Sequence, residues 1–448
     1  MRNLTTGSIL KTITYFSFPF LISFFLQTFY GMADLFIIGQ FNGVECTTAV
    51  SIGSQAMYMI TVIIVGLTMG TTVLIGKALG AKNYEQIPIF IGNTILLFGI
   101  LSIVLTFFLY IFAPLIAKIM STPIEAEFQA IKYLKISFLG IPFIVTYNMI
   151  SAIFRGAGDS KSPMYFILIA CILNIVLDYI FIGAFEMKAS GAALGTILSQ
   201  AVSVIVSSSL ILNNKTQIRF SLKDLKLKKD VIQELLNIGF PVALQNGLIQ
   251  VAFIVITIIA NKRGLYDAAA VGIVEKIIGI LFLIPQTMLA ILPVLTAQNI
   301  GAGKFKRAKL TLIYTIIISV CWGIFVSIIT EFNTEFLVRI FVKDAHVILS
   351  GSQYIRAYII DCILAGIHFC FSGYFYAFGL SNISFAHNFL SIICVRIPFA
   401  YFASKYFVDT LFPMGLASPA GSMLSVIICV SVYIWIVHNP EKFKLKKN

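Results

Sequence analysis

Apolar residues run in long unbroken stretches along this chain, and polar residues gather in the gaps between them. Twelve stretches are long enough to cross a bilayer as a helix, which takes about 20 residues. They lie near 12–39, 48–76, 88–112, 130–153, 163–183, 191–212, 233–260, 268–297, 309–330, 347–378, 384–407 and 414–437. The runs are continuous, so they predict helices rather than the period-two strands of a membrane β-barrel. The first is too long for the apolar core of a signal peptide and has no small-residue cleavage pattern after it. It therefore reads as a retained helix. The expected fold class is an all-α membrane protein with twelve transmembrane helices.

The longest polar gap, 213–231, is basic and divides the chain into related halves. At an offset of 221, Gly80-Ala81 meets Gly301-Ala302, Tyr133 meets Tyr354, Phe154 meets Phe375, Gly158 meets Gly379 and Ser160 meets Ser381. At an offset of 222, Phe18-Pro19 meets Phe240-Pro241. Six helices per copy make both copies start on the same side of the membrane, so the repeat is parallel. The expected domains are an N-lobe at 8–212 (helices 1–6), a cytoplasmic basic loop at 213–231, a C-lobe at 232–437 (helices 7–12) and a cytoplasmic tail at 438–448. Two such six-helix lobes would enclose a central cleft, the natural place for a transported solute.

Composition supports lipid as the solvent. Of 448 residues, 59% are hydrophobic and 11% charged, against about 45–50% and 25% in soluble proteins. The net charge of +13 is spread as short clusters between apolar runs rather than as a groove for nucleic acid. Alternate gaps hold twenty Lys and Arg on one side and seven on the other. The positive-inside rule places the richer side, with both termini, in the cytoplasm. The expected location is the inner membrane, which the resemblance described below makes a bacterial one, with the protein a monomer and the lipid bilayer its surroundings. The seven cysteines form no C-x-x-C pair and the four histidines are dispersed. No structural metal site, disulfide framework or cofactor is expected. There is no Walker motif for ATP hydrolysis and no catalytic cluster, so an enzyme is not expected.

Polar groups inside the apolar runs carry the candidate chemistry. A charge at a helix centre costs roughly 2.5–3.5 kcal/mol on insertion scales, so it needs a partner or a wet cavity. Asp34, Asp178 and Thr196 each lie about five residues from the outer end of their helix, a common depth of roughly 8 Å. Asn174 precedes Asp178 by one turn and shares its face. Oxygens grouped this way suit Na⁺, and two close carboxylates resist joint ionisation, so the pair can carry a proton. The same cluster would also serve as a hydrogen-bond network between packed helices. Glu275 and Asp361 are further candidates for coupling or substrate contact, although Asp361 can be neutralised by Arg396 or Arg356. Gln55, Asn148, Gln245 and Gln250 are candidates to line the cleft or to bind helices together. Pro19 and Pro241, early in helices 1 and 7, are candidate bends.

Several segments resemble the multidrug and toxic compound extrusion (MATE) family. They are GMADLFIIGQ at 31–40, GKALGAKN at 76–83, FRGAGDSKSPM at 154–164, LNIVLDYIFIG at 173–183, GAALGT at 191–196 and RIP at 396–398. The resemblance spans about residues 8–437 and is nearest the branch holding the DNA-damage-inducible F-type proteins and Gram-positive multidrug exporters. It implies an N-lobe cation site formed by Asp34, Asn174, Asp178 and Thr196, and a bend of helix 1 at Pro19. In another bacterial branch the site lies in the C-lobe, where Glu275 and Asp361 are the available acids. The expected function is antiport: H⁺ or Na⁺ enters and an amphipathic, cationic organic compound leaves by alternating access. The alternative is a flippase for lipid-linked saccharides, which would need basic groups in the cleft where mainly acids are found. A membrane-embedded enzyme and a channel are further alternatives.

Overall fold

All twelve apolar runs are helical in the computed structural model, which describes residues 3–212 and 222–439. Residues 213–221 of the basic loop and the tail from 440 onward lie outside the described residues. We number the spans α1 (Ile9–Phe41), α2 (Val44–Gly80), α3 (Gln86–Ile119), α4 (Ile124–Leu139 with Ile141–Gly156), α5 (Lys161–Asp178 with a π-helical turn at Tyr179–Ala184) and α6 (Ala189–Leu212). The second six are α7 (Lys229–Asn261), α8 (Leu265–Leu281 with Leu283–Gly301), α9 (Phe305–Arg339), α10 (Ala345–Tyr358 with Asp361–Phe378), α11 (Ser381–Leu390, a π-helical turn at Ser391–Arg396, then Ile397–Tyr406) and α12 (Phe412–Gly415 with Ala417–His438). No strand occurs among the described residues.

Four runs that read as continuous are broken, α12 at Leu416 among them. Span α4 bends by 48° at Gly140. Its counterpart α10 breaks at Ile359 and Ile360, and α8 breaks at Phe282. The repeat is visible in backbone detail. Gly158 and Gly379 both have positive φ, +82° and +76°, a conformation that glycine adopts without strain. Each closes the helix before it in the same way: Asp159 N donates to Phe154 O, and Leu380 N donates to Phe375 O, both at 2.9 Å. A π-helical turn carries one extra residue. The turn at Ser391–Arg396 therefore adds one residue to the second copy, as the turn at Tyr179–Ala184 adds one to the first further along.

The chain forms two compact units, and their borders do not fall at the basic loop. The first unit holds residues 1–4 and 18–243, and the second holds 5–17 and 244–448. Each border cuts a long helix close to its internal proline, Pro19 in α1 and Pro241 in α7. Local contacts explain the assignment. In the second unit, Arg307 donates to Gly7 O (2.7 Å) and Thr6 O (3.0 Å), and Lys304 Nζ donates to Thr5 O (2.8 Å). In the first unit, the opening turns of α7 lie backbone to backbone against α2. A Cβ on Gly70 would stand 2.2 Å from Leu235 O, and one on Gly239 would stand 2.2 Å from Leu67 O. Just before α7, Lys228 N donates to Asn93 Oδ1 of α3 at 2.6 Å.

Each unit has its own apolar interior. In the first, Ile37, Ile38, Ala49, Val50, Tyr133, Ile182 and Ala193 pack together. In the second, Ile256, Val274, Tyr354, Ile355, Cys362 and Ala400 belong to one larger cluster. Other apolar side chains face outward, as on α3, where Ile103, Phe107, Phe108, Ile111 and Leu115 are exposed. Such a surface suits lipid and not water.

Candidate cation site

Three helices of the first unit bring the four N-lobe candidates together. Span α1 supplies Asp34, α5 supplies Asn174 and Asp178 from successive turns, and α6 supplies Thr196. Asn174 Nδ2 donates to Thr196 Oγ1 at 3.4 Å. The Thr196 hydroxyl has two acceptors in reach, Asp34 Oδ2 at 3.4 Å and Ala192 O of its own helix at 3.1 Å. The contacts with Asn174 and Asp34 are long, so the cluster is preformed but loosely closed. The carboxyls of Asp34 and Asp178 interact with each other directly. Gly195 leaves room for them, because a Cβ there would stand 2.2 Å from Asp178 Oδ1.

Burial makes the arrangement chemically unusual. Asp178 is 0% exposed, Asn174 1% and Asp34 5%. Four of their oxygens are buried with no donor in reach: Asp34 Oδ1, Asn174 Oδ1 and both carboxylate oxygens of Asp178. Ionised carboxylates can only accept. Buried polar atoms are normally satisfied, and a buried charge is normally paired. A proton shared by the carboxyls, or a small cation among the four oxygens, meets both needs. The oxygen-only donor set suits a hard cation such as Na⁺. Among the described residues, no lysine or arginine forms an ion pair with Asp34 or Asp178. Tyr133 of α4 is buried in the apolar cluster with Ile37 and Ile38 of α1.

The second-unit candidates gather separately. Asp361 is buried at the break of α10, and Glu275 on α8 is half-buried. Both interact with Arg396 of α11. Arg356 does not serve Asp361, because its Nε pairs with Glu331 Oε1 at 2.9 Å. The four amide candidates are divided between the units, Gln55 and Asn148 in the first and Gln245 and Gln250 in the second. Asn148 donates to Ile144 O within its own helix at 2.8 Å, and Gln245 Oε1 accepts from Tyr376 OH at 3.0 Å. Gln55 is exposed and Gln250 half-buried. Pro19 and Pro241 both lie inside their helices and are buried.

Comparison with known proteins agrees with the repeat. The MatE family profile matches the chain twice, at residues 19–180 and 241–402. Both ends of the second match lie 222 residues beyond those of the first. The probable multidrug resistance protein YpnP of Bacillus subtilis is 26% identical over 402 residues, covering 90% of each chain. The multidrug export protein MepA of Staphylococcus saprophyticus is 26% identical over 378 residues, covering 83% of this chain and 82% of that one. Among solved structures, an outward-facing multidrug resistance MATE family transporter superposes with a TM-score of 0.91 at 22% identity, over 99% of this chain and 98% of that one. A MATE structure in a bent conformation gives 0.89 at 22% identity, over 98% and 97%. With both repeats matched and the twelve-helix fold shared, the chain belongs to the MatE family of membrane transporters.

Proposed function

We propose that this protein exports amphipathic organic cations across the cytoplasmic membrane in exchange for H⁺ or Na⁺, by alternating access, as a monomer with both termini in the cytoplasm. The single observation that carries the reading is the set of four buried oxygens, with no donor in reach, on Asp34, Asn174 and Asp178. Two carboxyls with no basic neighbour are stable in such a place when something positive joins them. A proton or Na⁺ arriving from outside does so, and its departure leaves a charged pair that favours a different arrangement of the helices. A site that holds one positive charge well and two badly makes the ion and the organic cation alternate. The names of the relatives, multidrug resistance and multidrug export proteins, favour organic drugs as the cargo.

The test is efflux of a dye and drug panel from everted vesicles, with H⁺ and Na⁺ gradients imposed separately. Asp34→Asn and Asp178→Asn keep the side-chain shape and fix it neutral, so gradient-driven efflux should fall to background at matched protein levels. Asn174→Ala should weaken Na⁺ coupling more than H⁺ coupling, because the amide oxygen ligates a metal ion and not a proton. Normal gradient-driven export by both Asp→Asn variants would refute the reading.

A further inference from the structure

The two halves of the family match give the first-unit site a counterpart in the second. At the offset of 222, Asn174 is matched by Arg396, Asp178 by Ala400 and Asp34 by Ile256. The second copy has therefore lost both carboxylates and gained a guanidinium where the first presents an amide. Two acids return from other positions. Glu275 lies on α8, and Asp361 lies at the α10 break.

Arg396 is anchored by a tyrosine and a phenylalanine. Its Nη2 donates to Tyr358 OH at 3.0 Å, and its guanidinium lies 4.8 Å from the centre of the Phe253 ring. Tyr358 is three residues before Asp361 across the helix break. Glu275 and Asp361 both act on Arg396 by charge. Arg396 makes no direct salt bridge with either, and Glu275 Oε1, Asp361 Oδ1 and Arg396 Nε are buried without hydrogen bonds. A guanidinium stays protonated at any physiological pH.

We propose that Arg396 is a tethered cation: it takes in the second unit the place that a mobile cation takes in the first, so the second unit binds no coupling ion, and Glu275 and Asp361 are its counter-charges. This rests on the reading of Asp34 and Asp178 as the mobile-cation site. It removes Glu275 and Asp361 from the candidates for ion coupling and makes the repeat functionally asymmetric.

The experiment is thermal unfolding of the purified full chain in detergent, in sodium chloride and in choline chloride. Glu275→Gln and Asp361→Asn should each lower the unfolding temperature by about 3 °C or more, because each strips a counter-charge from a guanidinium that keeps its own. Adding Arg396→Gln to either variant should recover most of that loss, a positive coupling in a double-mutant cycle. Arg396→Gln alone should gain a sodium-dependent stabilisation that persists when Asp34→Asn is added. If Arg396→Gln yields no folded protein, Arg396→Lys, which keeps the charge, must fold in its place. Unchanged or raised unfolding temperatures in both acid variants, with no coupling to Arg396, would overturn the proposal. These readouts do not pass through Asp34 and Asp178. Normal export by their amide variants would sink the first-unit reading while the cycle on Arg396 still reports on its counter-charges.

Discussion

The Asp178 carboxyl lies directly against Gly195. Gly195 approaches it so closely that any side chain there meets Oδ1, at 2.2 Å for a Cβ alone. Gly195→Val should therefore push the Asp178 carboxyl off Asp34 without touching a charge. Gradient-driven efflux should fall on the order of tenfold, since a displacement near 1 Å at a reacting group has effects of that size or larger. The check is initial efflux rate at matched protein levels, and a rate equal to the parent would show that the carboxyl pair tolerates separation. The contrast with Arg396 is a single position of the repeat. An amide in the first copy lends an oxygen to a mobile cation; a guanidinium in the second is itself the charge. Asp34, Asn174, Asp178 and Thr196 could be gathered from depth and helical spacing because each lies at a similar distance from a helix end. Arg396 was legible as a neutraliser of Asp361 but not as the counterpart of Asn174. The π-helical turn at Ser391–Arg396 moves the register by one residue, and an offset of 221 pairs Asn174 with Val395 instead.

Spans α1 and α7 are each divided between the units close to a proline, and close backbone packing secures the first half of α7. Gly70 and Gly239 are the points of closest approach between α2 and α7. Small residues at such crossings let helices pack where lipid offers no hydrophobic drive. Gly239→Ala should cost about 1–3 kcal/mol, the usual range for overpacking. Gly272→Ala is the control, since a Cβ there meets nothing within 4 Å. Thermal unfolding in detergent separates them: the first should fall and the second should hold or rise slightly, as alanine favours helix over glycine. All twelve spans could be read from apolar run length, because a bilayer demands it. The breaks in α8 and α10 could not. The residues at 359–360 are two isoleucines and the one at 282 is phenylalanine, none of which interrupts an apolar run or signals a turn. The α8 break has a local cause that the apolar run hides: Pro285 has no N–H to donate to Leu281 O, which accepts from Trp322 Nε1 at 2.9 Å instead.

The charge asymmetry of the gaps predicts which ends of the helices meet the cytoplasm. In a cysteine-depleted variant, Lys343→Cys should react with an impermeant thiol reagent added to intact cells, and Lys223→Cys should react after the membrane is opened. Labelling of position 223 from outside would invert the topology. The division of α1 and α7 has a consequence for how the protein is made. Translation runs from the N-terminus, so residues 5–17 leave the ribosome long before Lys304 and Arg307, which hold residues 5–7 through three hydrogen bonds. The first unit in turn lacks part of its packing until α7 has emerged as far as residue 243. Neither half is a finished folding unit on its own, although each carries six spans. Two polypeptides separated within 213–221 should be degraded when expressed singly and should accumulate when co-expressed. Survival of the first half alone at the level of the intact chain would mean that α7 is dispensable for its assembly. The repeat that looks like two joined copies is in this respect one interlocked product of biosynthesis.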